Sequence, residues 1–444
     1  MYTKVFIVYT YIIMLTTPSF SDFNVTKHTK TLSNGVNVTL FERPKTPITI
    51  EIAFLSGSRF DPVGKEGLAH FTEHMVCSGT TNFPSGDYIA EMIGGMGGNF
   101  NASTSLDRFR IYIDFSEVED FSKVVFLLKD LLNNPLFDST NFENERNAII
   151  REFSKKESNP GSQIKVLSRE LLYQDTPCSR PTLGTLVSIK SITLEDVISY
   201  FTNMLTTGRA SIIISGGISI DNVVKYLEED LNIRSSEKFE ITENLPIIRN
   251  KTISIKPYTT NDQLNIEFGF RACPKYIGED APLILLRAIM GSGFSSALYK
   301  KLRLEKGLVY SLKTAYEGHV DSADFTVNTE IAKNNLNQVL GIITEEFNRT
   351  LKGEITNKEL DLFKRMKINA QKIDMQTSAS WVSFHSYNEL IGNENKMDLP
   401  DFLKEISLVT LEDITKVSNK YLTKNSWYLA ICGDVEQKDI ILNY

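Results

Sequence analysis

The chain has 444 residues, more than one hydrophobic core usually organises, so we expect two domains of about 200 residues each. Its composition, 41% hydrophobic and 23% charged, is that of an ordinary globular protein. The formal net charge of -7 argues against nucleic acid as the main partner, because binding to phosphates requires a basic surface.

Residues 1–21 have the pattern of an export signal. Lys4 precedes an apolar run over residues 5–15, and Ser19 and Ser21 supply the small residues expected before a cleavage site. The run is too short and too rich in threonine for a membrane span, and it lacks the arginine of a mitochondrial transit peptide. We expect an exported protein, periplasmic or secreted, without a stable membrane span once the signal is removed. Retention of the segment as an anchor is the alternative.

The first motif with chemical content is "AHFTEHMVCSG", residues 69–79. It holds two of the chain's five histidines, His70 and His74, with Glu73 beside the second. Residues four apart in a helix lie one turn apart on one face, so both imidazoles can bind one ion. Zinc takes imidazole nitrogens and carboxylate oxygens, and a catalytic zinc keeps one position for water. We therefore predict a metal site here; a polar helix surface is the alternative.

A third ligand has to come from elsewhere, and the segment over residues 143–157 offers two carboxylates. Glu145 and Glu152 lie two helical turns apart and share a face. We expect one of them to reach the ion and the other to orient a ligand. Ile149 between them is expected to pack, with Arg146 pointing away.

An internal repeat divides the chain. "LEDVISYFTNMLTTGRASIIISGG" begins at Leu194 and "LEDITKVSNKYLTKNSWYLAICGD" at Leu411, an offset of 217 residues. Two strand–turn–strand patterns, which begin near residues 35 and 251, repeat in the same way. The pattern predicts an α+β fold of two homologous domains, each an antiparallel sheet covered by helices on one face. We place these domains at 22–231 and 252–444, with a polar linker over 232–251.

The second copy of the motif helix, near "LILLRAIMGSG" at residues 283–293, has leucine and isoleucine where the first copy has histidine. A helix at this position of the repeat therefore packs without histidines, which favours a functional role for the two histidines of the first copy. The cysteines have no Cys-x-x-Cys spacing and do not resemble a disulfide framework. One disulfide or four reduced thiols both remain open; the four are Cys77, Cys178, Cys273 and Cys432.

These motifs together resemble the pitrilysin/insulinase family of zinc peptidases. The family pattern is an inverted His-x-x-Glu-His, followed here by Glu152 at the end of Glu-Arg-x-x-x-x-x-Glu. The resemblance extends to "NASTSLDRFRIYIDF" and, in the second half, to "GSGFSSALYKKLRLEKGLVYS". It covers nearly the whole chain after the signal, including the duplication.

The resemblance implies one zinc ion per chain, bound by His70, His74 and Glu152. It implies that Glu73 is the general base and that Glu145 supports the ligands. Without the histidines, Glu145 and Glu152 alone would be interpreted as a solvated helix face.

The resemblance also implies how a peptide substrate is held. Asn101, Ala102 and Ser103 would form an edge strand that binds the peptide by β-augmentation. An ordinary strand packed under a helix is the alternative. Arg303 and Tyr310 match residues that contact substrate from the second half; without the resemblance they would be a solvated helix residue and a core strand residue.

The resulting hypothesis is a zinc metalloendopeptidase that cleaves extended peptides or unfolded segments. The family's closed chamber needs four repeats and this chain has two, so we expect a homodimer, with a heterodimer of related chains still open. Two alternatives remain: a catalytically silent structural subunit, and a peptidase that removes targeting sequences.

Overall fold

The computed structural model describes residues 23–174, 176–228, 231–239, 251–258, 262–274, 278–392 and 397–444. The predicted signal peptide lies outside these ranges, and so do residues 240–250 of the predicted linker. The proposed domain limits therefore stay predictions. Within the described ranges, no helix combines the length and the apolar character needed to cross a membrane.

The first half forms a sheet of six strands packed against helices. Its strands are β1 (Thr26–Thr31), β2 (Asn37–Glu42), β3 (Ile48–Phe54), β4 (Asn99–Thr104), β5 (Phe109–Phe115) and β6 (Ala210–Gly216). Its helices are α1 (Leu68–Cys77), α2 (Gly86–Gly95), α3 (Phe121–Asn133), α4 (Ser139–Glu157), α5 (Pro160–Leu172), α6 (Leu186–Ser191), α7 (Leu194–Met204) and α8 (Ile220–Leu227). The strand order is β1-β2-β6-β3-β5-β4.

The second half repeats this plan with a sheet of five strands in the order β7-β11-β8-β10-β9. Its strands are β7 (Lys251–Lys256), β8 (Gln263–Ala272), β9 (Val309–Gly318), β10 (Ala323–Ala332) and β11 (Trp427–Cys432). Its helices are α9 (Asp280–Gly291), α10 (Ala297–Tyr299), α11 (Leu336–Leu351), α12 (Asn357–Asp374), α13 (Ser378–Ile391), α14 (Leu399–Leu408) and α15 (Leu411–Tyr421). A π-helical turn over Lys300–Glu305 continues α10.

The predicted α+β class with two similar sheets is confirmed, with one refinement. Most neighbouring strands are antiparallel, but β2 pairs with β6 in parallel and β7 pairs with β11 in parallel. The repeated Leu-Glu-Asp sequence also has a local reason. Thr193 and Thr410 each form a capping box with the aspartate three residues later, so both copies start a helix at the same place.

Each half also contributes one helix to the sheet of the other half. Trp381 of α13 packs against Phe41 of β2, with ring centroids 5.4 Å apart. Ile164 of α5 belongs in turn to a cluster with Tyr428 and Ala430 of β11. The sequence pattern predicted helices on one face only. Strands β3, β6 and β11 are buried along their whole length, because the exchanged helices cover the second face.

All four cysteines are free thiols, and Cys178, Cys273 and Cys432 are buried. This arrangement agrees with the reduced alternative from the sequence rather than with a disulfide.

Candidate metal centre

The start of α1 is fixed by contacts on either side of it. Gly67 has a φ of 92°, and a Cβ at this position would lie 2.6 Å from the carbonyl oxygen of Leu183, so the site requires glycine. The buried Asp61 carboxylate accepts hydrogen bonds from the backbone N–H groups of Gly67 at 2.7 Å and Ala69 at 2.9 Å. These contacts fix the first turn of α1 and therefore the direction in which the side chain of the next residue, His70, projects.

The structure brings the three predicted metal ligands together. The Nε2 atoms of His70 and His74 lie 3.5 and 3.8 Å from Oε2 of Glu152 on α4. The two imidazole rings meet edge-on, with centroids 4.7 Å apart. One ligand atom from each of the three residues lies within 4.8 Å of the other two.

Some of the remaining polar atoms of this cluster are held by a hydrogen bond or an ion pair with a neighbouring side chain. Nδ1 of His74 lies 2.8 Å from Oε2 of Glu145, a position from which a carboxylate can orient a ligand. Oε1 of Glu152 accepts from Nζ of Lys156 at 2.8 Å, which leaves Oε2 turned to the histidines. Nδ1 of His70 is buried and, among the described residues, has no hydrogen-bond partner.

Burial and charge set different protonation states for the ligands. Burial, reinforced by the charge of His74, lowers the pKa of His70 to about 4, so this imidazole is neutral at neutral pH. Burial also acts to lower the pKa of His74, but Glu145 and Glu152 outweigh it and raise the pKa overall. The hydrogen bond with His74 holds the pKa of Glu152 well below its usual range. His70 and Glu152 are thus ready to bind a cation, whereas His74 first has to lose a proton.

Glu73 lies beside these ligands but is not one of them. One of its carboxylate oxygens is buried and has no hydrogen-bond partner among the described residues. Burial raises the pKa of Glu73, and hydrogen bonding to Thr104 at the end of β4 opposes this effect. A carboxylate with a raised pKa exchanges protons near neutral pH more readily than a solvated one.

The donor set fits zinc. Two imidazole nitrogens and one carboxylate oxygen are a ligand set found in catalytic zinc sites, which keep the fourth position for water or substrate. His70, His74 and Glu152 would hold the ion.

The predicted substrate strand lies at the edge of the first sheet. β4 pairs with β5 only, and Asn101, Ala102 and Ser103 lie in its middle. Asn101 donates through Nδ2 to the hydroxyl of Tyr112 at 2.8 Å, and Ser103 accepts from Nε of Arg110 at 2.8 Å. These cross-strand contacts leave the outer backbone edge of β4 without a neighbouring strand in the described part of the chain, as β-augmentation requires.

Arg303 and Tyr310 lie together but apart from the metal cluster. The Arg303 guanidinium carbon stands 4.8 Å from the centroid of the Tyr310 ring, and its Nη1 donates to the carbonyl of Val309 at 3.1 Å. Tyr310 is 81% exposed, at the start of the edge strand β9. In the described residues, no hydrogen bond, ion pair or ring contact joins either side chain to the metal ligands.

One orientation predicted for α4 is wrong. Arg146 does not point away: its guanidinium carbon stands 4.6 Å from the centroid of the Phe142 ring, and it donates to the carbonyl of Ile192 at 2.9 Å. Its long apolar stem makes this packing favourable.

Two neighbours of the site were missed in the sequence. Asp61 caps α1 from a distance, because the N-cap position is occupied by Gly67, so the usual N-cap signal does not point to Asp61. Thr104 has no local signal either, because only the packing of α1 on β4 brings it to Glu73.

The fold and the site define a two-domain protein whose first half carries an inverted His-x-x-Glu-His motif, with a third residue, Glu152, placed so that the three could hold a metal ion. Family models agree: insulinase (peptidase family M16) matches residues 38–186, and the M16 inactive domain matches residues 191–367. The chain belongs to peptidase family M16. The inactive-domain match begins in the last part of the first half, extends through α9 to most of α12 in the second half, and does not include the histidine pair.

Relatives of similar length have names that refer to zinc. The chain is 26% identical over 396 residues to the uncharacterized zinc protease YmxG of Bacillus subtilis, covering 89% of this chain and 95% of that one. It is also 26% identical over 408 residues to an uncharacterized zinc protease of Rickettsia felis, covering 90% and 95%.

Solved structures share the fold. A protease from Helicobacter pylori superposes with a TM-score of 0.86 at 20% identity, covering 92% of this chain and 99% of that one. A structure described as a peptidase M16 inactive domain, from Pseudomonas fluorescens, gives a TM-score of 0.85 at 20% identity, covering 93% and 98%.

Proposed function

We propose that this protein is a zinc metalloendopeptidase that hydrolyses extended peptides or unfolded segments. The observation that carries the proposal is the convergence of His70, His74 and Glu152 within 4.8 Å, with the buried Glu73 carboxylate beside them, one oxygen of which has no hydrogen-bond partner among the described residues. A structural subunit would have no need to assemble three ligands around a buried base.

The roles of the residues follow from their positions. Bound zinc would supply a Lewis acid that polarises the scissile carbonyl and acidifies water. Glu73 takes a proton from the attacking water and delivers it to the leaving amine, which its raised pKa suits. Glu145 keeps the imidazole of His74 in one orientation and tautomer.

The peptide is held as an added strand along β4. Main-chain hydrogen bonds along Asn101, Ala102 and Ser103 would give affinity with little dependence on sequence, and they would keep the peptide extended in front of Glu73. Thr104 links the two parts of the site, because it ends β4 and contacts Glu73.

We also propose that the working unit is a homodimer of the exported chain. Within the described part of the chain, no hydrogen bond, ion pair or ring contact joins Arg303 or Tyr310 to the metal cluster, so a second copy is the natural source of these groups. Tyr310 would donate to the carbonyl oxygen as negative charge develops, and Arg303 would hold a peptide carbonyl or carboxylate.

The test uses the chain from residue 22, purified without added metal. We expect about one zinc per chain, as in catalytic sites with three protein ligands, and cleavage of a quenched mixed-peptide library. Glu73→Gln should keep zinc but lose turnover by about 10²- to 10⁴-fold, as general-base variants do. A wild-type chain that binds no zinc would favour the structural subunit. Selective cleavage of targeting sequences would favour the processing peptidase.

A further inference from the structure

A cavity of about 510 Å³ opens next to the metal centre, between α4, α5 and the loop at residues 179–185. It is within the size range of ligand sites. Phe153 directly follows Glu152 and lines the cavity, and Lys156 at its rim binds Oε1 of Glu152 at 2.8 Å. The cavity and the metal ligands therefore share one stretch of α4.

The charge of this cavity is opposite to that of the chain as a whole. Four cationic side chains line it against two carboxylates, whereas acidic residues outnumber basic ones in the full sequence. The cations are Lys156, Lys165, Arg169 and Lys256, and the carboxylates are Glu157 and Glu170. An anionic group is thus favoured over a cationic one in this place.

The ion pairs among these side chains show which of the four cations can bind an anionic ligand. Lys156 is engaged by Glu152, and Lys256 lies 3.5 Å from Glu157. Lys165 and Arg169 have no carboxylate partner within ion-pair distance in the described part of the chain, although the charge of Arg169 acts at longer range on the buried Asp324, whose pKa burial raises and this charge acts to lower. The remaining carboxylate, Glu170, is exposed near the end of α5.

Lys165 and Arg169 lie four residues apart, one turn along the same face of α5. A neighbouring face of α5, which includes Ile164, packs on β11 and positions the helix. Nη1 of Arg169 donates to Oγ1 of Thr182 at 3.0 Å, which fixes the guanidinium against the loop and leaves its other donors for a ligand. Apolar contacts from Phe153, Val166 and Leu183 would surround the stem of a bound side chain.

We propose that this cavity binds a carboxylate of the peptide substrate close to the scissile bond, through Lys165 and Arg169. The carboxylate is either an acidic side chain or the C-terminal carboxylate of the peptide. The inference rests on the proposed peptidase function, because the metal centre defines where the scissile bond lies. A guanidinium with several free donors suits this ligand, since arginine binds carboxylates through paired hydrogen bonds.

The experiment measures binding rather than turnover. The zinc-loaded Glu73→Gln chain is titrated with short fluorescent peptides that carry glutamate at each position in turn. Every peptide has a glutamine counterpart, and every sequence is made with a free or an amidated C-terminus. Anisotropy then gives the affinity of each peptide.

We expect glutamate at one position, or the free C-terminus, to bind about three- to tenfold more tightly than its neutral counterpart, as for a partly solvated charge pair. The first result assigns the cavity to a side chain and the second to the chain terminus. The preference should vanish in the double variant Lys165→Gln with Arg169→Gln. It should persist in Lys123→Gln with Lys225→Gln, which removes the same charge from exposed helix positions outside the cavity.

Equal affinity for all charged and neutral peptides would overturn the proposal, as would a preference that survives in the Lys165/Arg169 double variant. Failure of the peptidase function is distinguishable, because it shows as an absence of turnover by the zinc-loaded wild type.

Discussion

The Nδ1 atom of His74 lies 2.8 Å from Oε2 of Glu145, while Nε2 of the same ring faces Glu152. Both glutamates lie on α4, two turns apart, so a single helix supplies the carboxylates that face both nitrogens of this ring. His70 has no such support, since its Nδ1 has no partner among the described residues. The two histidines of the motif are therefore not equivalent. The orientation and protonation of His74 depend on the Glu145 carboxylate, whereas His70 has no corresponding carboxylate at its Nδ1 in the described part of the chain.

Glu145→Gln tests this dependence. The amide cannot provide the negative charge that orients and polarises His74, so we expect zinc affinity to fall by about 10- to 100-fold. Competition with a chromogenic chelator measures the change. Glu143→Gln is the matched control, because Glu143 lies on the same helix, its side chain is exposed, and its one ion-pair partner among the described residues is Arg146 rather than a metal-cluster residue. Unchanged affinity in Glu145→Gln would show that the contact is incidental.

Zinc binding should release a proton from His74. In the metal-free protein the neighbouring carboxylates, acting against burial, raise the pKa of His74 to about 9, whereas that of His70 is lowered to about 4. Zinc needs the neutral imidazole, so apparent affinity should rise with pH up to about 9 and level off above it. Calorimetry in buffers of different ionisation enthalpy should give about one proton per zinc near pH 7 from this source.

The Glu145→Gln variant provides the comparison for that measurement. Without the glutamate charge the pKa of His74 should drop, and proton release near neutral pH should decrease. The same number of protons in wild type and variant, or none in either, would contradict the assignment.

Gly67→Ala should disturb the metal centre from a distance. The substitution strains a φ of 92° and places a Cβ 2.6 Å from the Leu183 carbonyl, so the first turn of α1 has to shift. We expect a loss of about 1–3 kcal/mol in the free energy of unfolding together with weaker zinc binding. Denaturant titration and chelator competition measure the two effects.

The variant Gly64→Ala separates the effect of backbone strain from the effect of displacing α1. Gly64 also has a positive φ, 81°, but a Cβ there would meet no atom within 4 Å. It should lose some stability and keep its zinc affinity. Equal loss of zinc affinity in both variants would mean that the contact of Gly67 with Leu183 does not position α1.

Mixing two inactive variants tests whether the active unit is a dimer. Tyr310→Phe should slow turnover by about 10²- to 10³-fold if its hydroxyl stabilises the developing charge. A dimer of one Glu73→Gln chain and one Tyr310→Phe chain has one complete site if Tyr310 acts on the partner's zinc. Random mixing should then restore about one quarter of wild-type turnover. No recovery after subunit exchange would place Tyr310 in the site of its own chain.

Much of the fold and of the metal centre could be predicted from local patterns. The His-x-x-Glu-His spacing places two imidazoles on one helix face, and the spacing of Glu145 and Glu152 does the same for the carboxylates. The repeated Leu-Glu-Asp segments mark the same capped helix in both halves, because the capping box needs only residues three apart. Such features depend on neighbours along the chain, and the sequence by itself determined them.

Helix spacing left open which of the two glutamates meets the Nε2 atoms of the histidines, because both lie on the same face of α4; the family resemblance implied Glu152, and the packing of α4 on α1 brings Glu152 there. The tertiary structure alone decided that α5 and α13 exchange sheets, that Thr104 meets Glu73, and that Lys165 and Arg169 face a cavity beside the metal centre. Each of these contacts joins residues far apart in the chain. Their geometry depends on how whole elements pack against one another, and helix and strand periodicity contains no information about that packing.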